Sequence, residues 1–502
     1  MNKVISKYDI NGFFGLFMNN LTNLLVLTSL LVFVVGLPKE IVYAHILPGL
    51  GIALFFASCV YTYMGYQLRE KSQKARVTAL PSGVSVAHMY LIVFMVVGPI
   101  YWKTNDPYLA WYAGLAWCFI EGIVELFGSI VGKSLRNAIP RPALLGSLAG
   151  VSLTFILLNP AFSIFAIPYI GLITFTFVLL SWFGKAKMPF NIPVGLLVII
   201  IGVVVGWLTQ TMDYQVLKES LNGFSFHVPN LQFEGIWKGL NEAGSLLIIA
   251  IPFGIYNFIE TIDNVESAEA AGDHYNVTSA LVFDGISTII SALFGSVFPV
   301  AVYIGHPGWK ATGARIGYTL LTGICVLLIT ITGSLNFLLS LLPVVALEPV
   351  LIYIGIIITT QAFEVSNVKY YPAIIVAFIP WLADWSQNVV DIGLTSAKTN
   401  AQDIGNAVLN SNGLNYAGVS ALGAGSILVS ILWACIVIFI IDKQYIKLAI
   451  ASCIAAILSF VGVIHSEVIK INANGEMAIT YLIMMAIFIG YYVYDKKVAK
   501  ML

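Results

Sequence analysis

Charged residues are scarce in this sequence, and their scarcity excludes several classes of protein. Only 10% of the 502 residues are Asp, Glu, Lys or Arg, whereas 59% are hydrophobic. Because soluble domains carry about 25% charged residues, this composition indicates an integral membrane protein. The net charge is zero, and no basic run with interleaved aromatic residues provides a nucleic-acid groove. We therefore expect no nucleic-acid partner.

Cysteine is also rare. The five cysteines lie inside apolar segments, and none has the CxxC spacing of a redox or metal site. We interpret them as small packing residues, and we expect no metal and no other cofactor. We also expect no cleaved signal peptide, because the first apolar run, 13–36, is too long for an h-region and lacks a small-residue cleavage pattern.

Long apolar runs are abundant instead. Runs of about 18 to 25 residues, long enough to cross a ~30 Å hydrocarbon core as helices, recur along the chain. Seven predicted spans precede a polar connection at 216–240, and nine apolar segments follow it. With a cytoplasmic N-terminus, most of the 25 Lys and Arg residues fall in cytoplasmic loops, as the positive-inside rule requires. The sequence predicts an all-α polytopic protein of the cell membrane, embedded in the lipid bilayer.

Two of the apolar runs are broken by proline at matching places. The stretch TALPSGVSVAH, around Pro81, is the third segment of the first set, and SVFPVAVYIGH, around Pro299, is the third of the second. Seven spans leave the second set inverted in the membrane, so the pattern predicts two inverted seven-helix repeats. The similarity of the two stretches, taken alone, is equally well explained by coincidence. The predicted parts are a first repeat at 1–215, an extracytoplasmic connection at 216–240, a second repeat at 241–441 and extra C-terminal helices at 442–502.

The broken segments predict a local structure and a site. Backbone groups cannot face lipid unpaired, so extended chain at membrane depth has to be buried or paired. We predict that residues 82–86 and 300–303 form a short two-stranded ribbon, and that each strand leads into a half-helix whose N-terminus points at the membrane centre. Such breaks mark transporter binding sites. The candidate substrate contacts on them are Ser82, Gly83, Val84, Ser85, Tyr303, Gly305 and His306.

Carboxylates occur in an otherwise apolar helix that follows the polar connection. Each costs about 2.5 to 3.5 kcal/mol at the bilayer centre on insertion scales, so each needs a reason to be there. We predict that Glu260 and Asn264 face the helix bundle, with Glu260 as a substrate or proton site; the alternative is a carboxyl group satisfied by a neighbouring helix. Asp263 is a second candidate for ion or proton coupling, and it is expected near the cytoplasmic face, where hydration lowers the cost of its charge. Glu266 and Glu269 are expected to be hydrated near the cytoplasmic face.

Further polar residues have two interpretations each. Asn19 and Asn20 lie at the matching place in the first repeat, where they either line the site or make interhelical hydrogen bonds. His306 either donates to substrate and relays a proton, or makes a structural hydrogen bond to Ser82 or Ser85. Asp273 is expected near the cytoplasmic face. Other carboxylates in or near the membrane have no firm role: Glu121, Glu125, Asp284, Glu348, Glu364 and Asp384.

The pattern resembles the xanthine/uracil permeases, the family-2 nucleobase cation symporters, and especially their hypoxanthine/guanine/adenine branch. The resemblance rests on Glu260 eight residues after Pro252, on Asn264 four residues later, and on the broken segment that ends in ATGARIGYT. The stretches FIEGIVELFGSIVGKSLRNAIPRPALLGSLAG and LPVVALEPVLIYIGIIITTQAF are also similar to that family. The resemblance spans most of residues 10–440.

The resemblance implies fourteen spans, divided into a core domain (spans 1 to 4 and 8 to 11) and a gate domain (5 to 7 and 12 to 14). It implies that Glu260 hydrogen-bonds ring N–H groups of a base and that Asn264 makes a second polar contact. The family usually has an acid or glutamine two residues after Tyr303, where this chain has Gly305. We therefore predict that His306 partly replaces that group, and that Gly305→Glu changes which solutes are accepted.

The function expected from the sequence is transport rather than catalysis. The chain is predicted to be a permease that carries a small planar solute, such as a purine or pyrimidine base, with H+ or Na+ through an elevator-type movement, as a homodimer. One alternative is an anion carrier on the same fold. Another is a metal-dependent transferase embedded in the membrane, but Asp263, Glu266 and Glu269 lack the DDxxD-like spacing of such enzymes.

Overall fold

The computed structural model describes residues 4–73, 76–84, 88–89, 92–188, 194–221, 225–242, 250–466 and 468–501. The predicted site residue Ser85 and the predicted strand end at Val86 lie outside these residues, as does the start of the predicted span at 241–264. Within these described residues, six helices are long and apolar enough to cross a membrane. They are Asp9–Val32, Lys39–Ser72, Pro107–Ala138, Arg141–Ala166, Val368–Ser396 and Gly475–Lys496.

The described residues of the first half contain eleven α-helices and one strand. The long apolar runs, free of charge over many residues, form the helices, and the strand follows Pro81. The α-helices are α1 (Asp9–Ser29), α2 (Lys39–Ile41), α3 (Leu47–Ser72), α4 (Gly98–Thr104), α5 (Pro107–Ala138), α6 (Arg141–Val151), α7 (Asn159–Ala166), α8 (Pro168–Val178), α9 (Val194–Leu208), α10 (Tyr214–Ser220) and α11 (Phe233–Glu242), with β1 at Ser82–Val84. Wider π-helical turns at Leu30–Val35, Val42–Ile46, Val93–Val97, Ser152–Leu158 and Leu179–Phe183 extend several of them.

The second half is built in the same way, with strand β2 (Val300–Val302) after Pro299. Short 3-10 turns lie at Val344–Ala346 and Val368–Tyr370. The α-helices are α12 (Ala250–Ala270), α13 (Val277–Leu293), α14 (His306–Ala311), α15 (Gly317–Ile331), α16 (Leu335–Leu341), α17 (Glu348–Glu364), α18 (Tyr371–Ser396), α19 (Ala401–Ile404), α20 (Asn406–Ser411), α21 (Tyr416–Gly423), α22 (Ser426–Ile441), α23 (Tyr445–Val461) and α24 (Gly475–Met501).

The chain divides into two units. The first comprises Met1–Leu135 and Ile156–Ile357, and the second comprises Arg136–Phe155 and Ile358–Leu502. Within the first unit, α3 packs against α13 and α15, and β1 and β2 lie among them. Within the second, α18 packs against α6 and α22, and α23 packs against α24. The predicted all-helical polytopic class, with two short broken segments, is confirmed.

Two expectations about the helices are wrong in detail. The apolar run 415–441, one of the nine segments predicted after the polar connection, is two helices, α21 and α22, that meet at an angle of 82°. The bend lies at Gly425, whose φ of 76° is a left-handed conformation that glycine adopts readily, and the Ala424 carbonyl beside it accepts a hydrogen bond from the His465 N–H at 2.9 Å. The half-helix predicted after the second strand is α14, which has only six residues. A helix this short has few aligned peptide dipoles, so we no longer assign it a ligand-binding N-terminus.

Candidate substrate site at the strand crossing

The two broken segments cross as an antiparallel pair of strands. Ser82 lies opposite Val302, Gly83 opposite Ala301, and Val84 opposite Val300. The pairing continues by one bond beyond β2, where the Tyr303 N–H donates to the Pro81 carbonyl at 2.8 Å. All of these residues are buried. The predicted pairing of the two segments is confirmed for the described residues.

The outer edge of β2 is capped by side chains of α12 and α13. The Val300 N–H donates to the Thr288 hydroxyl at 3.2 Å, and the same hydroxyl lies 2.9 Å from the Val300 carbonyl. The Val302 N–H donates to the Asp284 carboxylate at 3.1 Å, and the Asn264 amide donates to the Val302 carbonyl at 2.7 Å. A strand edge at membrane depth must be satisfied by protein groups, and these three side chains do so.

The outer edge of β1 is capped from the first helix. The Asn20 amide donates to the Ser82 carbonyl at 3.2 Å and to the Leu16 carbonyl at 3.1 Å. The Ser82 hydroxyl lies 2.6 Å from the Ser58 hydroxyl. Asn20 therefore makes hydrogen bonds within α1 and to β1, and the interhelical bond that we considered for it is not among the described contacts.

Tyr303 lies on the side of the strand crossing where several polar side chains meet. Its ring lies against Gly83, where a Cβ atom would be 2.6 Å from the ring Cγ, so a larger residue has no room there. The Asn23 amide donates to the Tyr303 hydroxyl at 3.3 Å, and Asn19 also contacts it. Glu260 is close enough for an electrostatic interaction with Tyr303. The structure therefore brings the predicted site residues Gly83, Asn19, Tyr303 and Glu260 together.

Other predicted site residues contribute in a different manner. Val84 lies buried in β1, where its backbone belongs to the pairing. The Asn264 amide N–H donates to the Val302 carbonyl of β2, while its Oδ1 has no hydrogen-bond partner among the described residues. Asn264 therefore holds the strand with its donor, and its buried oxygen is available as an acceptor.

A carboxylate network behind β2 was not assigned a role from the sequence. Asp284 accepts hydrogen bonds from the Tyr61 hydroxyl at 2.5 Å and from Thr261. Glu125 accepts one from Asn257 and one from the Thr288 hydroxyl at 3.3 Å. The available signal was the spacing of Asp284 and Thr288, which places both on one face of a helix. Their partners on α3, α5 and α12 have no signature in the sequence.

His306 belongs to a separate polar cluster. Its Nε2 lies 3.0 Å from the Thr78 carbonyl and 3.3 Å from the Asp273 carboxylate. Asp273 also accepts hydrogen bonds from the Thr78 N–H at 3.1 Å and from Lys310 Nζ at 2.8 Å. We call these four residues, Thr78, Asp273, His306 and Lys310, the Asp273 cluster. Ser82 is not the partner of His306 in the described contacts, and Ser85, the other partner predicted for a structural hydrogen bond, lies outside the described residues.

The Asp273 cluster joins the chain that enters β1 to the chain that follows β2. The Asp273 side chain lies in the loop between α12 and α13 and is fully buried. Burial raises the pKa of Asp273, but the hydrogen bonds and positive charges of His306 and Lys310 outweigh it and bring the pKa below its ordinary value. The carboxylate is therefore held in its charged form.

Two expectations about nearby residues are corrected. Glu266 was expected to be hydrated, but its side chain is 3% exposed, because the last turns of α12 remain inside the protein. Gly305 has a φ of 119°, and a Cβ there would lie 2.7 Å from Trp309 Nε1. Glutamate cannot adopt this geometry without strain, so Gly305→Glu is not a clean test of specificity.

Metal ligands do not cluster in the part of the chain that the structure describes: no group of three or more His, Cys, Asp or Glu could hold an ion there. All five cysteines are free thiols.

Comparisons with known proteins give a distant match. No protein-family model and no curated protein matches the chain. Among solved structures, it is similar to the transmembrane domain of a cyanobacterium bicarbonate transporter, BicA, with 13% sequence identity and a TM-score of 0.41. The match covers 84% of this chain and 97% of that chain. A likeness of this size assigns neither a family nor a substrate, so function has to be argued from the site.

Proposed function

We propose that this protein is a secondary transporter of a small planar solute, in particular a purine or pyrimidine base, and that it moves the solute together with H+ or Na+. The proposed movement is elevator-type alternating access. Two backbone breaks that cross inside a polytopic membrane protein support transport, because irregular backbone at membrane depth is tolerated where it is buried in protein or lines a cavity.

The observation that carries the proposal is the group of side chains around the Tyr303 hydroxyl. Asn19 and Asn23 contact this hydroxyl, and Glu260 interacts with it electrostatically. Amides provide both donors and acceptors, and a carboxylate accepts hydrogen bonds from N–H groups. These are the groups that read the edge of a nitrogen heterocycle.

The sign of the charge favours a base over an anion. Glu260 and Glu266 both interact electrostatically with Asp263, which lies between them on α12. Three neighbouring carboxyl groups give the site a neutral or negative potential, whereas an anion carrier needs a positive potential at its site. A solute that offers N–H donors fits better.

The proposal is tested by Glu260→Gln. The change keeps the size of the side chain but removes its charge and its exchangeable proton. We expect binding of hypoxanthine, guanine or uracil to weaken about 10- to 100-fold, which corresponds to losing a hydrogen bond to a charged group, about 1.5 to 3 kcal/mol. Thermal-shift titration of purified protein and radiolabelled uptake measure this change.

The control is Glu242→Gln, the same chemical change at the exposed end of α11, which should bind like the parent. Equal affinity in Glu260→Gln and the parent, or no response of the parent to any base, would contradict the proposed function.

A further inference from the structure

Asp263 is a buried carboxyl group that has no hydrogen-bond donor among the described residues. Its side chain is 1% exposed, and neither of its oxygens has a partner among the described residues. The charged groups that reach it electrostatically are Glu260 and Glu266, one turn before it and one turn after it on α12. Both are carboxylates, so they disfavour a negative charge on Asp263.

Among the described residues, no counter-ion to Asp263 is found on the elements that pack against α12, since the groups that act on it electrostatically are both on α12 itself. The packed elements include α13, β2 and α14, and also α5, whose Glu125 accepts a hydrogen bond from Asn257. Their acidic and basic side chains are Asp284, His306 and Lys310, together with Glu121, Glu125, Lys133 and Arg136 of α5. Asp284 accepts hydrogen bonds from Tyr61, Thr261 and the Val302 N–H. His306 and Lys310 both contact Asp273, so these three groups are committed to other partners.

An ionised carboxylate at the Asp263 position has a high free energy. Burying a charge without a hydrogen bond or an ion pair costs so much that the group neutralises instead. The neutral acid is the form of Asp263 that this conformation tolerates. When a conformational change admits water, the cost falls and the proton can leave.

We propose that Asp263 is the proton-carrying group of the transporter, distinct from the solute-binding Glu260. One carboxylate oxygen takes a proton from water on one side of the membrane, the neutral side chain remains enclosed during the movement, and the proton returns to water on the other side. No other bond forms or breaks. The inference rests on the proposed function, and it divides that site into a residue that reads the solute and a residue that couples its movement to protons.

The test uses full-length protein in proteoliposomes with radiolabelled hypoxanthine. Counterflow exchange at equal pH on both sides needs no net proton movement, whereas uphill accumulation driven by a pH gradient does. We expect Asp263→Asn, a neutral substitute of the same shape, to keep counterflow within about twofold and to lose gradient-driven accumulation at least about 10-fold. Asp263→Glu should recover part of the accumulation. Asp106→Asn is the matched control. Asp106 is exposed, directly precedes α5 and accepts hydrogen bonds from its first turn, and because asparagine can accept the same bonds, this variant should behave like the parent.

Three results would overturn the inference. The first is accumulation by Asp263→Asn equal to the parent, and the second is accumulation by the parent that follows a Na+ gradient and ignores pH. The third is a failure of Asp263→Asn to fold or to exchange, because a group that is neutral in this conformation should tolerate asparagine.

A measurement without solute separates this inference from the proposed function. If Asp263 is neutral when buried, the parent should lose thermal stability relative to Asp263→Asn as the pH rises above about 3.9, the ordinary pKa of aspartate, toward neutrality. A constant difference between the two melting curves would count against Asp263 whatever the solute is. Absence of counterflow in the parent would instead count against hypoxanthine transport.

Discussion

Asp263 and Asp273 lie close together in the sequence and are both 1% exposed, yet their surroundings are opposite. Asp273 accepts hydrogen bonds from a backbone N–H and from two basic side chains. Asp263 has no donor in the described structure and lies between two other carboxylates. Burial alone therefore does not separate a structural carboxylate from a functional one. The partners do, because they decide whether the charged or the neutral form is stable.

The largest effect on stability is expected when Asp273 is removed. Asp273→Ala removes the carboxylate that His306 and Lys310 contact. Breaking a buried ion pair in this way costs about 3 to 5 kcal/mol of folding stability. We expect a large fall in the melting temperature of the purified protein, whereas Asp263→Asn should melt at or above the melting temperature of the parent at pH 7. If Asp263→Asn were the more damaging of the two, the assignment of roles would be reversed.

The next largest effect on stability is expected at Thr288, an uncharged side chain that caps the outer edge of β2. Thr288→Val keeps the shape of the side chain and leaves the Val300 N–H without the Thr288 hydroxyl. An unsatisfied buried group costs about 1 to 3 kcal/mol, which chemical or thermal unfolding should detect. Ser287→Ala is the control, because in the described part of the chain that hydroxyl bonds within its own helix, to the Phe283 carbonyl. Equal losses in both variants would mean that the edge of β2 is not held by Thr288.

The pH dependence of stability sharpens the contrast further. The pKa of Asp273 is lowered in the folded protein, so its stabilising contribution is complete above the ordinary value of about 3.9 and is lost as the pH falls through the folded value. The difference in melting temperature between the parent and Asp273→Asn should thus be constant from pH 5 to 8 and should narrow only below about pH 4. A difference that changes between pH 5 and 8 would show that another group of the cluster titrates.

The smallest effect is expected at the surface. Lys369 Nζ lies 2.8 Å from Asp442, but its side chain is 50% exposed. The hydrogen bonds from Lys369 and Tyr370 lower the pKa of Asp442, but salt and side-chain entropy cancel most of the benefit of an exposed pair. Lys369→Ala should leave the melting temperature unchanged within error. A clear loss would mean that this pair, too, is part of a cooperative network.

The broken segments could be predicted from the sequence because proline and glycine interrupt apolar runs, and lipid forbids unpaired backbone. The same reasoning brought Glu260 and Tyr303 to one site. It did not predict Asp284 and Thr288 as caps of β2, since an isolated polar residue in an apolar helix does not identify its partner. Nor did it predict the contact of His306 with Asp273, which depends on how the loop after α12 turns.

Hydropathy has a further limit at α21 and α22. A window of apolar residues looks the same whether the helix is straight or bent, and hydropathy does not register that Gly425 has a φ of 76° at the bend. Glu266 shows the converse case. Its charge suggested water, but the depth of its helix inside the protein is a property of tertiary packing.

The capped edges of β1 and β2 have a mechanical consequence. Sliding the strands by one residue would exchange the backbone groups that face Asn20, Thr288 and Asp284 for groups that point the other way, and every cap would be lost together. The crossing therefore has one permitted register, and its strands and the helices that cap them should travel as a single piece. Spin labels placed on α1 and α13 would keep a constant separation throughout a transport cycle, even while labels elsewhere change theirs.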